Sequence, residues 1–160
     1  MRRQFAETLL ELAEKDDDIL LIVGDIGFRI FDEFRNKFPE RFINIGLCEQ
    51  SMVGIAAGMA LEGYKPYIYT ITPFLTERAF EQIKIDIDQQ NVNVKLIGYA
   101  DYPGQGITHE LLNNGTYMTM FKNIDSYCFP KNSEEVKRIL IKSYYNKKPT
   151  FISLRRDRDV

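Results

Sequence analysis

The sequence predicts an α/β fold, a three-layer αβα sandwich around a mostly parallel sheet of about six strands. Short apolar runs alternate with amphipathic segments along the chain, which indicates consecutive βαβ units. The runs are continuous, as in "ILLIV" at 19–23, and such runs are typical of parallel strands covered by helices on both faces. Because the 160 residues contain no linker or repeat, we expect one domain over 1–160.

Each element is assigned from its periodicity and from the residues that end it. Apolar residues at helical spacing predict the first helix, which the acidic run at 16–18 ends. Pro39 limits the second helix, and Gly63 is a typical stop for the third. The predicted elements are helix 2–15, strand 19–23, helix 31–37, strand 42–45, helix 50–62, strand 67–72, helix 76–88, strand 94–100, helix 111–121, strand 127–129, helix 133–145 and strand 150–154.

Composition and charge argue against several classes of protein. The formal net charge is −2 and the basic residues are scattered, so we expect no nucleic-acid partner. No apolar run reaches the roughly 18 residues that span a bilayer, and the N-terminus turns acidic without an apolar signal core. We therefore expect a cytoplasmic protein that binds no membrane. Cys48 and Cys128 lack metal-ligand spacing and are interpreted as free thiols.

Ligands of a parallel α/β sheet bind at the carboxyl ends of its strands, and four loops of this sequence lie there. They cover residues 24–25, 47–49, 72–74 and 100–109. Glu49 stands just before a helix rich in Gly and Ala and has two interpretations. It is either a first-turn acid that the helix dipole favours, or a buried carboxylate that shares a proton with a ligand.

Three further residues at this edge also have two interpretations each. Phe74 in "TPFLT" is either a core residue or a ring that stacks on a flat heterocycle. His109 is the only histidine, and it is either structural or part of the site, as its loop position favours. Asp25 either caps the next element or lines the same crevice.

Several common motifs are absent. "GQGITH" lacks the third glycine of a dinucleotide fingerprint, and no Gly-Lys-Ser/Thr follows "GDIGF" to make a phosphate loop. No hydrolase nucleophile elbow is present. With one histidine and no carboxylate cluster, the chain is expected to bind no metal by itself.

Three segments taken together resemble a known family. They are "GDIG", then "FPERFINIGLCEQSMVGIAAGMALEGYKPYIYTITPFLTERAFEQIKIDI", then "GITHE". In this order they resemble the pyrimidine-binding domain of the transketolase family, whose enzymes depend on thiamine diphosphate. The resemblance covers nearly the whole chain and is most specific over about residues 38–88. It implies the thiamine diphosphate-binding fold.

The resemblance implies roles for five residues. Glu49 matches the glutamate that hydrogen-bonds N1′ of the cofactor's aminopyrimidine and starts the proton transfer that activates the thiazolium C2. Phe74 matches the aromatic that stacks on the aminopyrimidine. Asp25 and Ile26 match a pair that lies against the cofactor near the thiazolium. His109 matches a histidine that faces the substrate and stabilises an oxygen anion.

The residues implied to bind substrate match the family less closely. Arg3 resembles an arginine that holds substrate phosphate, and Arg155 or Arg156 occupies the region of a second one. Gln105 stands where the family has an aspartate that reads a substrate hydroxyl, and Glu110 replaces a glutamine. These departures leave the usual sugar-phosphate specificity open.

The family's diphosphate-binding Gly-Asp-Gly motif does not occur in this sequence. The resemblance therefore implies a split enzyme, in which the diphosphate and Mg²⁺ (or Ca²⁺) are held by a separate partner chain. We expect an α2β2 heterotetramer that shares the thiamine diphosphate between its two kinds of chain. A homodimer without the partner is left open, because small residues line one helix face.

Three functions are carried forward. The first is transfer of a two-carbon ketol unit between sugars. The second is decarboxylation of a 2-oxo acid with transfer of an aldehyde unit, which the altered substrate loop keeps open. The third is a non-catalytic assembly domain, against which the presence of Glu49, Phe74 and His109 argues.

Overall fold

The computed structural model describes residues 1–100, 106–127 and 129–156. In that part of the chain, short helices and strands alternate as the periodicity predicts. They are α1 (Arg2–Ala13), β1 (Ile19–Val23), α2 (Asp32–Lys37), β2 (Phe42–Asn44), α3 (Glu49–Leu61), β3 (Lys65–Ile71), α4 (Phe80–Gln82), β4 (Lys95–Tyr99), β5 (Asp125–Tyr127), α5 (Ser133–Asn146) and β6 (Thr150–Leu154). No helix in these ranges is long and apolar enough to cross a bilayer.

The strands form one six-stranded sheet in the order β2-β1-β3-β4-β6-β5. All five neighbouring pairs are parallel. The predicted α/β sandwich is confirmed. The chain passes from β1 outward to β2 and then returns to the other side of β1 as β3, so the strand order reverses beside β1. Such a reversal opens a crevice at the carboxyl ends of the strands, where ligands of this fold class bind.

Alternating side chains of each strand feed two separate cores. Leu21, Tyr69 and Ile97 face α1, α2 and α5. Their neighbours Ile22 and Ile68 face α3, the helical segment 74–89 and the segment 112–120. Because both faces are covered, every residue of β1, β4 and β6 is buried, which explains their continuous apolar runs.

Two predicted α-helices have a different geometry. The segment 74–89 contains only one short α-helical stretch, α4, between the π-helical turns Phe74–Arg78 and Ile83–Gln89. Leu112–Met120 is 3₁₀-helical instead of α-helical. Asn113 and Gly115 have positive φ values of 46° and 71°, which interrupt an α-helical hydrogen-bond ladder.

The fifth strand lies at Asp125–Tyr127, two residues earlier than predicted. Asp125 and Ser126 are polar and do not read as a strand in the sequence. The pairing with β6 sets the position, since Asp125 pairs with Thr150 and its amide donates to the carbonyl of Pro149 at 3.0 Å. Tertiary pairing therefore overrides local propensity here.

On the α3 face, the large apolar side chains stop one layer before the carboxyl edge of the sheet. The next inward positions of four strands or strand ends hold small or polar residues, which are Gly24, Thr70, Gly98 and Ser153. The Thr72 side chain lies over Gly98 and its hydroxyl is 3.0 Å from that of Ser153. This small-residue layer leaves a polar recess where a bulky core would otherwise close the sheet.

We predict that Gly98→Ala lowers the free energy of unfolding by about 1–3 kcal/mol, because the added methyl group overpacks this layer. A Cβ at Gly98 would lie 2.3 Å from Thr72 Oγ1 and 2.9 Å from the Thr72 Cα. Urea unfolding measures the change. Gly58→Ala is the matched control, since a Cβ at this α3 position meets nothing within 4 Å. It should raise stability by about 1 kcal/mol through helix propensity. Equal effects of the two substitutions would contradict the close approach.

Candidate active site

Glu49 is the first residue of α3 and is only 3% exposed. Both interpretations of this residue therefore apply to its position. It stands in the first helical turn, where the helix dipole favours negative charge, and its carboxylate is also buried. A buried carboxylate is costly unless donors and positive charge surround it. Its contacts show how the fold meets this cost.

Two side chains from the neighbouring strand and helix reach the Glu49 carboxylate. The Thr70 hydroxyl in β3 donates to Oε1 at 3.4 Å. The Arg78 guanidinium approaches Oε2 at 3.5 Å from the first π-helical turn after β3. The Arg78 side chain is 44% exposed, so the ion pair has one buried partner and one partner at the surface.

Gly24 makes the approach of Glu49 to Thr70 sterically possible. Gly24 ends β1, which lies between β2 and β3 in the sheet. A Cβ at this position would lie 3.0 Å from the Thr70 hydroxyl oxygen and 3.5 Å from the carbonyl oxygen of Gly46. A larger residue would therefore separate the loop that carries Glu49 from β3.

Phe74 lies at the end of β3 and is 6% exposed. The Arg78 guanidinium carbon lies 3.4 Å from the centre of its ring, a cation–π contact between residues four apart. The His109 ring approaches with its centre 4.7 Å away and its plane inclined by 63°. Glu49, Arg78, Phe74 and His109 thus form a continuous group of contacts, which we call the Glu49 cluster.

An open cleft of about 210 Å³ adjoins the Glu49 cluster. It is lined by the loop and first turn at 47–51 and by Arg78. Leu47 at its rim is 68% exposed. The carboxylate of Glu49 therefore lies at the wall of a cleft that a small flat ligand can enter, and not in the interior of a closed core.

His109 is held near Phe74 by hydrogen bonds from the segment that follows it. The amide of Leu112 donates to Glu77 Oε1 at 3.0 Å, and the Tyr117 hydroxyl donates to the same oxygen at 3.3 Å. Glu77 thus joins the segment 106–120 to the π-helical turn that carries Phe74. Tyr117 also contacts the Thr76 hydroxyl.

Comparison with known proteins places this geometry in a family. Over residues 1–158 the chain matches the family described as transketolase, pyrimidine binding domain. The chain belongs to this family. Enzymes of the transketolase family use thiamine diphosphate, so the Glu49 cluster lies in a domain that serves to bind the pyrimidine of that cofactor.

Two curated relatives and one solved structure support the assignment. A subunit of the apulose-4-phosphate transketolase of Phocaeicola vulgatus is 32% identical over 146 residues, which are 88% of this chain and 47% of that protein. The 1-deoxy-D-xylulose-5-phosphate synthase of Macrococcus caseolyticus is 32% identical over 145 residues, 88% of this chain and 23% of that protein. A split gene transketolase, solved as an inactive beta4 tetramer, matches with a TM-score of 0.86 and 28% identity.

The transketolase pyrimidine domain is only part of these proteins. The match to the split gene transketolase covers 98% of this chain and 50% of that chain. This chain therefore spans about half the length of the split transketolase and of the apulose-4-phosphate transketolase relative.

Asp25 and Ile26 lie at the same edge of the sheet as the Glu49 cluster but have different contacts. Asp25 and Asn44 exchange two hydrogen bonds, from the Asp25 amide at 3.0 Å and to the Asp25 carboxylate at 3.1 Å. This pair joins the ends of β1 and β2, and Asp25 adopts a positive φ of 52°. Ile26 packs against the core under α1 and α2.

The predicted substrate-binding residues are spread along the edge. Arg3 lines a groove of about 300 Å³ between α1 and α2, together with Arg29. The Arg155 guanidinium lies 4.4 Å from the centre of the Phe129 ring, and Arg156 is exposed beside it. Gln105 lies outside the described residues.

Sequence reasoning did not identify Arg78 or Glu77. The available signal was the spacing of Phe74 and Arg78, since residues four apart share a helix face. Among the described residues, no group of three or more His, Cys, Asp or Glu side chains is placed to hold a metal ion.

We predict that Glu77→Ala releases the segment that carries His109. The Leu112 amide loses its acceptor, so its hydrogen exchange should become about tenfold faster. Exchange measured by mass spectrometry or NMR reports this directly. Glu81→Ala, at an exposed position on the same segment, should leave the rate unchanged. Unaltered exchange of Leu112 in Glu77→Ala would contradict the role of Glu77 as the anchor.

Proposed function

We propose that this chain is the pyrimidine-binding half of a thiamine diphosphate-dependent, transketolase-like enzyme that transfers a two-carbon ketol unit between sugars. The observation that carries the proposal is the buried Glu49 carboxylate beside the face of Phe74 at an open cleft. An aminopyrimidine needs a carboxylate partner for a ring nitrogen and an apolar face for its ring. Glu49 and Phe74 offer both within one cluster.

The residues present fit the cofactor, because a flat nitrogen-bearing group already occupies the required position. The Arg78 guanidinium lies against Phe74 at 3.4 Å and against Glu49 at 3.5 Å. When bound, thiamine diphosphate supplies the carbon nucleophile that attacks the donor carbonyl and stores the resulting negative charge. Glu49 holds a proton shared with the pyrimidine N1′ nitrogen, and Phe74 orients the ring.

Other residues of the chain are proposed to act on the substrate side. His109, beside Phe74, is placed to donate to an oxygen that gains negative charge during carbon–carbon cleavage. Asp25 and Ile26 are proposed to lie near the thiazolium ring. Arg3, Arg155 and Arg156 are proposed to attract substrate phosphate at the rim.

A second polypeptide is proposed to complete the site. It would bind the diphosphate and Mg²⁺ (or Ca²⁺), and two copies of each chain would form an α2β2 heterotetramer in the cytoplasm. Two observations support this arrangement. The apulose-4-phosphate transketolase relative is named as one of several subunits, and this chain, 32% identical to it, covers about half of its length. The described residues also contain no cluster that could hold the metal.

One finding supports a second candidate reaction, decarboxylation of a 2-oxo acid followed by aldehyde transfer. A synthase of 1-deoxy-D-xylulose 5-phosphate is as similar to this chain as the apulose-4-phosphate transketolase is, with 32% identity in each case. The substitutions Gln105 and Glu110 in the substrate loop also permit a different donor.

We predict that Glu49→Gln lowers turnover of the assembled enzyme by at least about 100-fold, because Gln keeps the size of the side chain but cannot share the proton. The measurement is donor consumption by the chain mixed with its diphosphate-binding partner, thiamine diphosphate and MgCl₂. Glu62→Gln, at the exposed far end of α3, is the matched control and should retain full turnover. Full turnover by Glu49→Gln would remove Glu49 from the chemistry.

A donor screen separates the two reactions. Ketol transfer predicts cleavage of ketose phosphates without release of carbon dioxide. Release of carbon dioxide from pyruvate without ketose cleavage would replace the first candidate with the second.

A further inference from the structure

Arg78 has three properties that an aminopyrimidine needs in this cleft. Its guanidinium is planar, it lies face to face with an aromatic ring, and it carries N–H groups directed at a carboxylate. The guanidinium carbon is 3.4 Å from the centre of the Phe74 ring, and Nη1 is 3.5 Å from Glu49 Oε2. One side chain thus makes both contacts that the proposed function assigns to the cofactor.

The two contacts exclude simultaneous binding of a second flat group. A separation of 3.4 Å is ordinary van der Waals contact, so no ring fits between the guanidinium and Phe74. The opposite approach is restricted by His109, whose ring centre lies 4.7 Å from that of Phe74. A ring that stacks on the face of Phe74 nearest Glu49 must therefore take the position of the guanidinium.

Arg78 is also the part of the cluster that is able to move. Glu49 and Phe74 are 3% and 6% exposed and are fixed by the packing of α3 and β3. The Arg78 side chain is 44% exposed and lines the open cleft of about 210 Å³. Its long stem permits rotation of the guanidinium into solvent, where water replaces the lost hydrogen bonds.

We propose that Arg78 is an affinity-determining residue of the cofactor site. In the unliganded protein its guanidinium occupies the pyrimidine position, and thiamine diphosphate displaces it on binding. This inference rests on the proposed function. Arg78 keeps the buried carboxylate of Glu49 paired before the cofactor arrives, which avoids the cost of an unpaired buried charge. The same contacts compete with the cofactor and reduce its apparent affinity, because only the open state binds.

The experiment combines two measurements on Arg78→Ala, and neither of them depends on turnover. The first is the dissociation constant of thiamine diphosphate, titrated with MgCl₂ into the assembled complex by calorimetry. The second is the free energy of unfolding of the unliganded chain. Contacts that exist only in the unliganded state must change the two quantities in opposite directions. We expect about tenfold tighter binding of thiamine diphosphate, together with a less stable unliganded chain.

Two further variants keep the test sharp. Lys84→Ala removes a positive charge from an exposed position of the same helical segment and should change neither quantity. Arg78→Lys keeps the charge and a similar stem but cannot lie flat on Phe74, so its affinity should fall between wild type and Arg78→Ala.

The results that overturn the inference are distinct from failure of the proposed function. Weaker or equal binding of thiamine diphosphate by Arg78→Ala and Arg78→Lys would show that Arg78 contacts the bound cofactor or lies outside its position. If the wild-type complex binds no thiamine diphosphate at all, the proposed function itself is wrong, and Arg78 does not hold the place of this cofactor.

Discussion

The buried carboxylate of Glu49 is the constraint on which the arrangement of the site depends. A charge that is 3% exposed needs compensation from several directions, and here it comes from different elements. The N-terminus of α3 contributes its dipole, β3 contributes the Thr70 hydroxyl, and the turn after β3 contributes Arg78. These elements meet only because the strand order reverses beside β1.

The sheet makes room for this carboxylate through the choice of residues in one layer. On the α3 face, Ile22, Ile68 and Phe151 fill the core one step below the carboxyl edge. The next inward positions in β1, β3, β4 and β6, or at their ends, are Gly, Thr, Gly and Ser. The two apolar cores stabilise the sheet, and this last layer exchanges packing for a polar recess. Stability and function are thus divided between successive layers of the same strands.

The fold could be predicted from the sequence because its strands are buried on both faces and its helices are strongly periodic. Glu49, Phe74 and His109 follow from strand-end positions and the family resemblance, and the structure brings all three into one cluster. The 3₁₀ geometry of Leu112–Met120 and the register of β5 depend on long-range pairing and on positive φ angles. Periodicity does not report these features.

Arg78 and Glu77 escaped sequence reasoning for a similar reason. Their roles depend on a π-helical turn that directs neighbouring side chains to different targets, Arg78 to Glu49 and Glu77 to Leu112. A charged pair in a helical segment is usually a solvated surface feature. Only the three-dimensional arrangement distinguishes this pair from an ordinary one.

The central claim is that Glu49 activates the cofactor by proton transfer. The most direct measurement is the rate at which the C2 hydrogen of bound thiamine diphosphate exchanges with D₂O, followed by NMR after acid quench in the assembled complex. The account predicts that Glu49→Gln binds the cofactor but slows this exchange by at least about 100-fold. Exchange at the wild-type rate in Glu49→Gln, with the cofactor bound, would contradict it.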